Sequence, residues 1–193
     1  MCRLAHPSWQ WTMNHEPVKN GGSASLPRIL VAGMGNVLRR DDGFGVEVAQ
    51  RLLAAAVLPP NVTTIEVGTG GISLVQELMV SPGYDVLILL DATEQDGQPG
   101  QVYILEAEVP ELDTFSEMTR RDFLADMHYA VPSRALILAK ALGVLPLRTF
   151  IVGCQPDLVN EFAIGLSDPV TKGVEQALTQ VKALIHQLNQ EES

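Results

Sequence analysis

Two runs, Ile29-Leu-Val-Ala-Gly33 and Val86-Leu-Ile-Leu-Leu90, contain no charged or polar side chain. A strand with one wet face alternates apolar and polar residues, so an unbroken apolar run needs cover on both faces, as in a parallel sheet packed between helices. Further strand-like runs recur along the chain and alternate with stretches of helical periodicity. Strands are expected at 28–32, 62–67, 86–90, 101–105 and 148–152, and helices at 45–56, 72–80 and 133–142, with a long closing helix at 171–188. This alternation predicts an α/β fold: a twisted, mostly parallel five-stranded sheet with helices on both faces. The run at 101–105 alternates somewhat and follows the turn residues Asp96-Gly-Gln-Pro-Gly100, so it is expected at an edge, running antiparallel.

At 193 residues and 46% hydrophobic, the chain suits one well-buried core, expected over 28–193 as a single domain. Residues 1–27 lack the continuous apolar stretch of a secretory signal and close on a Gly/Ser-rich, proline-terminated segment, so they are expected to be a disordered extension. His6 and His15 lie within it and are expected to be solvated rather than metal-bound. The formal net charge of -10 argues against nucleic acid and anionic membranes as partners, which are held through basic patches. No apolar run reaches the roughly 18 residues of a membrane span. Cys2 and Cys154, far apart in sequence, support neither a disulfide framework nor a thiolate zinc site. A reducing cytoplasm and a monomeric state are the expectation.

In open α/β sheets, ligands bind beyond the carboxyl ends of the strands, where loops converge and helix N-termini offer unpaired N–H groups. The polar residues that follow strands are therefore the candidates. Asp41 and Asp42 lie in Gly33-Met-Gly-Asn-Val-Leu-Arg-Arg-Asp-Asp-Gly-Phe-Gly45, where Leu38 stands at the third glycine position of a dinucleotide-binding turn. Asp91 ends the second apolar run, Gly68-Thr-Gly-Gly71 follows another strand, and Asp157 follows the last. His128 precedes a helix whose start is marked by Pro132. Gathered on one rim, Asp42, Asp91 and His128 would offer two carboxylates and an imidazole to a divalent ion, with coordination positions left open. Each has a plainer reading as well. Asp42 can cap the following helix, Asp91 can satisfy neighbouring backbone N–H groups, and His128 can be an ordinary surface histidine. Asp41 stands open between general base and turn stabiliser. Cys154 reads as a small buried residue, and Gly68, Gly70 and Gly71 as a turn.

Taken together, ILVAGMGNVLRRDDGFG, VGTGG, DVLILLDAT, DMHYAVPSRALILAKALG, FIVGCQPD and GLSDPV resemble the nickel-iron hydrogenase maturation endopeptidases, from about Arg28 to the closing helix. The resemblance implies an enzyme that removes a C-terminal extension from the hydrogenase large-subunit precursor once nickel has been inserted. It also implies that Asp42, Asp91 and His128 contact the metal, and that nickel arrives with the precursor rather than residing in the protein. Relatives sometimes carry Glu at the position of Asp42, so the shorter Asp42 asks for a closer approach of the ion. Metal-assisted hydrolysis and a carboxylate-only attack by water are both compatible with this set. Two other classes compete with this one: a metallochaperone or docking protein that holds the precursor without cutting it, and a nucleotide-dependent oxidoreductase, which Leu38 and the acids disfavour.

Overall fold

The computed structural model describes residues 26–55, 58–118, 121, 132–159 and 161–191; His128 and residues 1–25 lie outside the described residues. Five strands form one sheet: β1 (Ile29–Met34), β2 (Val62–Gly68), β3 (Val86–Ala92), β4 (Val102–Glu106) and β5 (Arg148–Cys154). Their order is β2-β1-β3-β5-β4. β1, β2, β3 and β5 are mutually parallel, and β4 joins β5 antiparallel at the edge, as its alternating sequence predicts. The helices are α1 (Phe44–Ala54), α2 (Gly71–Leu78), α3 (Pro132–Ala141) and α4 (Asp168–Glu191), with short 3-10 turns at Arg40–Gly43 and Leu112–Thr114.

Pleating divides each central strand between two cores. Ile29, Val31, Val86, Ile88, Leu90, Phe150 and Val152 face α1 and α4, which supply Phe44, Val48, Leu52, Val170, Val174, Ala177, Val181, Ile185 and Leu188. Leu30, Ala32, Met34, Leu87, Leu89 and Ile151 face α2 and α3, which supply Leu74, Val75, Leu78, Leu136 and Ala139. In α1 and α4 these residues recur every three or four positions, so each helix presents one apolar stripe to the sheet. α4 begins three residues before its apolar stripe suggests, because Asp168 supplies a first-turn acid and Pro169 fits a first helical turn. No helix among the described residues is long and apolar enough to cross a membrane.

The strand order reverses at β1. The chain moves from β1 outward to β2 and then returns to place β3 on the other side of β1. β1 is followed by α1 on one face and β2 by α2 on the other, so the connections change face between β1 and β3, and the crevice at the carboxyl ends of these two strands is the position where α/β sheets bind ligands.

Candidate active site

The loop after β1 folds back on itself. Gly35 sits at φ 125, and a Cβ there would lie 1.8 Å from the carbonyl oxygen of Asp42, so only glycine allows this approach. The Asn36 N–H donates to that same Asp42 carbonyl at 3.1 Å, and the Asn36 Oδ1 accepts the Leu38 N–H at 3.0 Å. Asn36 thus closes an Asx turn, the turn-setting role its residue type suggests. Arg40, the first residue of the 3-10 turn, takes a left-handed conformation at φ 52. Gly45 then slides between the two strand ends: a Cβ there would meet the carbonyl oxygens of Leu90 at 2.1 Å and Met34 at 2.4 Å. The N-terminus of α1 is consequently wedged against the carboxyl ends of β1 and β3, with Asp42 just before it.

Asp42 and Asp91 meet across this crevice. Asp91 is 5% exposed; it is paired in register with Gly153, and its place in the pleat puts it on the α2 and α3 side of the sheet. Burial, then the Asp42 charge, push its carboxyl well above the usual carboxylate range, against a smaller opposing effect from a hydrogen bond with the Ala92 backbone. Asp42 is partly exposed, and the residue capping α1 is Gly43, with no side-chain bond to the helix, so Asp42 is not used as a cap. A buried acid beside a second acid needs a proton or a cation between them, and a divalent cation suits this donor pair. Among the described residues no three His, Cys, Asp or Glu side chains gather as a metal-binding group. The expected third member, His128, lies outside the described residues, four positions before Pro132 opens α3.

Asp41, beside Asp42 in sequence, turns the other way. It is fully buried, and its two carboxylate oxygens accept the backbone N–H groups of Asp157 at 2.9 Å, Leu158 at 2.7 Å and Ser167 at 2.6 Å, together with the Ser167 hydroxyl at 2.9 Å. These bonds are those of an anchor: they tie both ends of the segment after β5 to the loop after β1. Backbone bonds reinforce the tie, from Arg40 N–H to Ala163 at 3.0 Å and from Asp41 N–H to Leu158 at 3.1 Å. The sequence offered a hint in the polar Asp157 and in Gly-Leu-Ser-Asp-Pro-Val, but nothing that joined either to Asp41. Gln155 works similarly on the loop after β3, its Oε1 accepting the N–H groups of Gln95 at 2.7 Å and Gly97 at 3.2 Å.

Cys154, fully buried at the end of β5, is pushed up to about 12 by burial and then by the Asp41 charge. It remains a thiol at neutral pH and supplies no nucleophile. The chemistry of this rim therefore rests on carboxylates.

Comparison with known proteins points the same way. Residues 46–184 match the HycI family, described as hydrogenase maturation protease. The hydrogenase expression/formation protein HupD of Rhizobium leguminosarum bv. viciae is 33% identical over 165 residues, covering 84% of this chain and 77% of the relative. The hydrogenase 2 maturation protease of Escherichia coli (strain K12) is 32% identical over 162 residues, covering 83% of this chain and 92% of that protein. Among solved structures, the hydrogenase maturating endopeptidase HybD from E. coli superposes with a TM-score of 0.64 at 29% identity, over 83% of this chain and 93% of that one.

Proposed function

The chain belongs to the hydrogenase maturation proteases, and from that premise we propose that it removes the C-terminal extension of a nickel-iron hydrogenase large-subunit precursor after nickel has been inserted. The observation that carries this reading is the pairing of Asp42 with the buried Asp91, whose carboxyl burial and the Asp42 charge push well above the usual carboxylate range, at the crevice between β1 and β3. Two acids held together at a strand switch are poised to receive a cation presented by another molecule. With His128 as third ligand, they would grip the precursor's nickel from the side opposite its own ligands. Nickel is then part of the substrate and marks a precursor ready for cutting. A bound divalent ion polarises a carbonyl and acidifies water. Asp42 and Asp91 orient the scissile bond against the crevice. Asp41 contributes by fixing the loop that carries Asp42.

The cytoplasm, where thiols stay reduced, is the setting proposed for this reaction, with the protein acting as a monomer. The experiment is cleavage of nickel-loaded and nickel-free precursor, followed by intact mass. The wild-type chain should shorten the loaded precursor and leave the nickel-free one unchanged. Asp42→Asn, Asp91→Asn and His128→Gln should each lower the cleavage rate by at least about 100-fold, the usual scale for losing a positioned acid-base or charge-stabilising group. Equal cutting with and without nickel would remove the metal from the reaction. A precursor that binds but never changes mass would leave a docking protein.

A further inference from the structure

We propose that Val37, Leu38, Phe162 and Ile164 form a docking shelf for apolar side chains of the precursor next to the scissile bond. This inference rests on the function proposed above and adds where the polypeptide lies. All four side chains are solvent-exposed, Phe162 at 87% and Ile164 at 80%. They come from two loops that the fold joins: Arg39 and Ala163 form a parallel bridge, which lays the loops side by side, with Leu38 next to the bridge on one and Phe162 and Ile164 flanking it on the other. The shelf is continuous with the acid pair, because Val37 packs on Gly43, the residue after Asp42, with its Cα 3.1 Å from where a Gly43 Cβ would stand.

A loop carrying Phe and Ile at its tip ordinarily folds them inward. Here it is prevented from doing so. The Asp41 carboxylate holds the loop at 157, 158 and 167, the Arg40 N–H holds it at 163, and the Arg40 Nε reaches Glu161 Oε2 at 3.4 Å. The result is an apolar surface fixed in place before any partner arrives, so little ordering remains to oppose binding. The acid pair can grip a cation but has no means of recognising an uncharged polypeptide, and an endopeptidase must hold the chain beside the bond it cuts. An exposed apolar cluster at the edge of that site fits apolar residues of the substrate polypeptide.

The test compares the full-length wild-type chain with Phe162→Ser/Ile164→Ser and with Leu38→Gln. Met79→Ser, an exposed position capping the far end of α2, serves as control. Each is assayed for KM and kcat on the nickel-loaded precursor, for precursor binding by calorimetry, and for mass by analytical ultracentrifugation. KM and the dissociation constant should rise roughly tenfold or more in the shelf variants, as expected for loss of a packed anchor, with kcat and melting temperature near wild type and the control unchanged. Unchanged KM and binding in the shelf variants would overturn the proposal. So would a wild-type dimer that the shelf variants dissociate without altering KM, since the cluster would then be a self-association face. Binding without cleavage by the wild-type chain would sink the proposed function alone, and the shelf would still stand or fall on the calorimetry.

Discussion

Asp41 and Asp42 are adjacent in sequence and have opposite fates, because a 3-10 turn rotates successive side chains by about a third of a circle. One goes to the interior and is consumed by backbone N–H groups; the other faces the crevice and a second acid. The cost of that pairing falls on Asp91. In an unfolded chain its carboxyl titrates near the ordinary value, about 3.9, whereas in the folded chain burial and Asp42 raise it. Below about pH 4 the group is protonated in both states and linkage contributes nothing. As pH rises from there through the folded value, the unfolded state releases a proton that the folded state retains, and Asp91 withdraws stability at about 1.4 kcal/mol per pH unit. Asparagine does not titrate. Asp91→Asn should therefore gain stability relative to wild type as pH increases above about 4, levelling once the folded value is passed. Urea unfolding of both proteins from pH 4 to pH 8 measures this difference, and a flat difference would mean that Asp91 ionises as freely as in an unfolded chain. The gain in stability should accompany a loss of cleavage, as expected where a strained acid serves chemistry rather than folding.

At the scale of the element, the two ends of the segment 157–167 donate four hydrogen bonds to one carboxylate from outside it, that of Asp41. Replacing that carboxylate by an amide leaves the shape nearly intact but halves its capacity to accept, so Asp41→Asn should cost about 3 kcal/mol. It should also speed amide exchange at Asp157, Leu158 and Ser167 well before the sheet opens. Unchanged exchange at those three amides would show that the loop stands without the anchor. This dependence also marks the limit of what the sequence discloses. The apolar runs located all five strands, and the more alternating pattern of 101–105 located the antiparallel edge. Yet β3 and β5 continue two residues past their apolar runs, to Ala92 and Cys154, because Asp91 and Gly153 pair inside the sheet even though they look like the start of a loop. Asp42 and Asp91 were legible as polar residues after strands. The fate of Asp41 was not, since periodicity reports which face a residue takes within an element and says nothing about a loop more than a hundred residues away. The exposure of Phe162 and Ile164 was equally hidden; sequence hydrophobicity alone would have buried them.

The molecule as a whole is two cores sharing one sheet, and the site occupies the end of that sheet where both cores contribute. Successive residues of β1, β3 and β5 belong alternately to the α1–α4 core and to the α2–α3 core. Damage to one core must therefore reach the other through strands that cannot be half-formed, since losing the register of β3 removes Leu87 and Leu89 from one side together with Ile88 and Leu90 from the other. Ile185, buried on α4 far along the chain from either acid, probes this coupling. Ile185→Ala should cost about 3 kcal/mol, within the usual range for truncating a buried Ile, and lower the melting temperature by roughly 10 °C for a chain of this size. If the sheet transmits the loss, amides of α2 and α3 on the opposite face will lose protection by the same free energy as those of α1 and α4. Protection lost only beneath α4 would instead reveal two layers that open separately. In that case the crevice between β1 and β3 could loosen without global unfolding, and Asp42 and Asp91 would be held together by less than the whole fold.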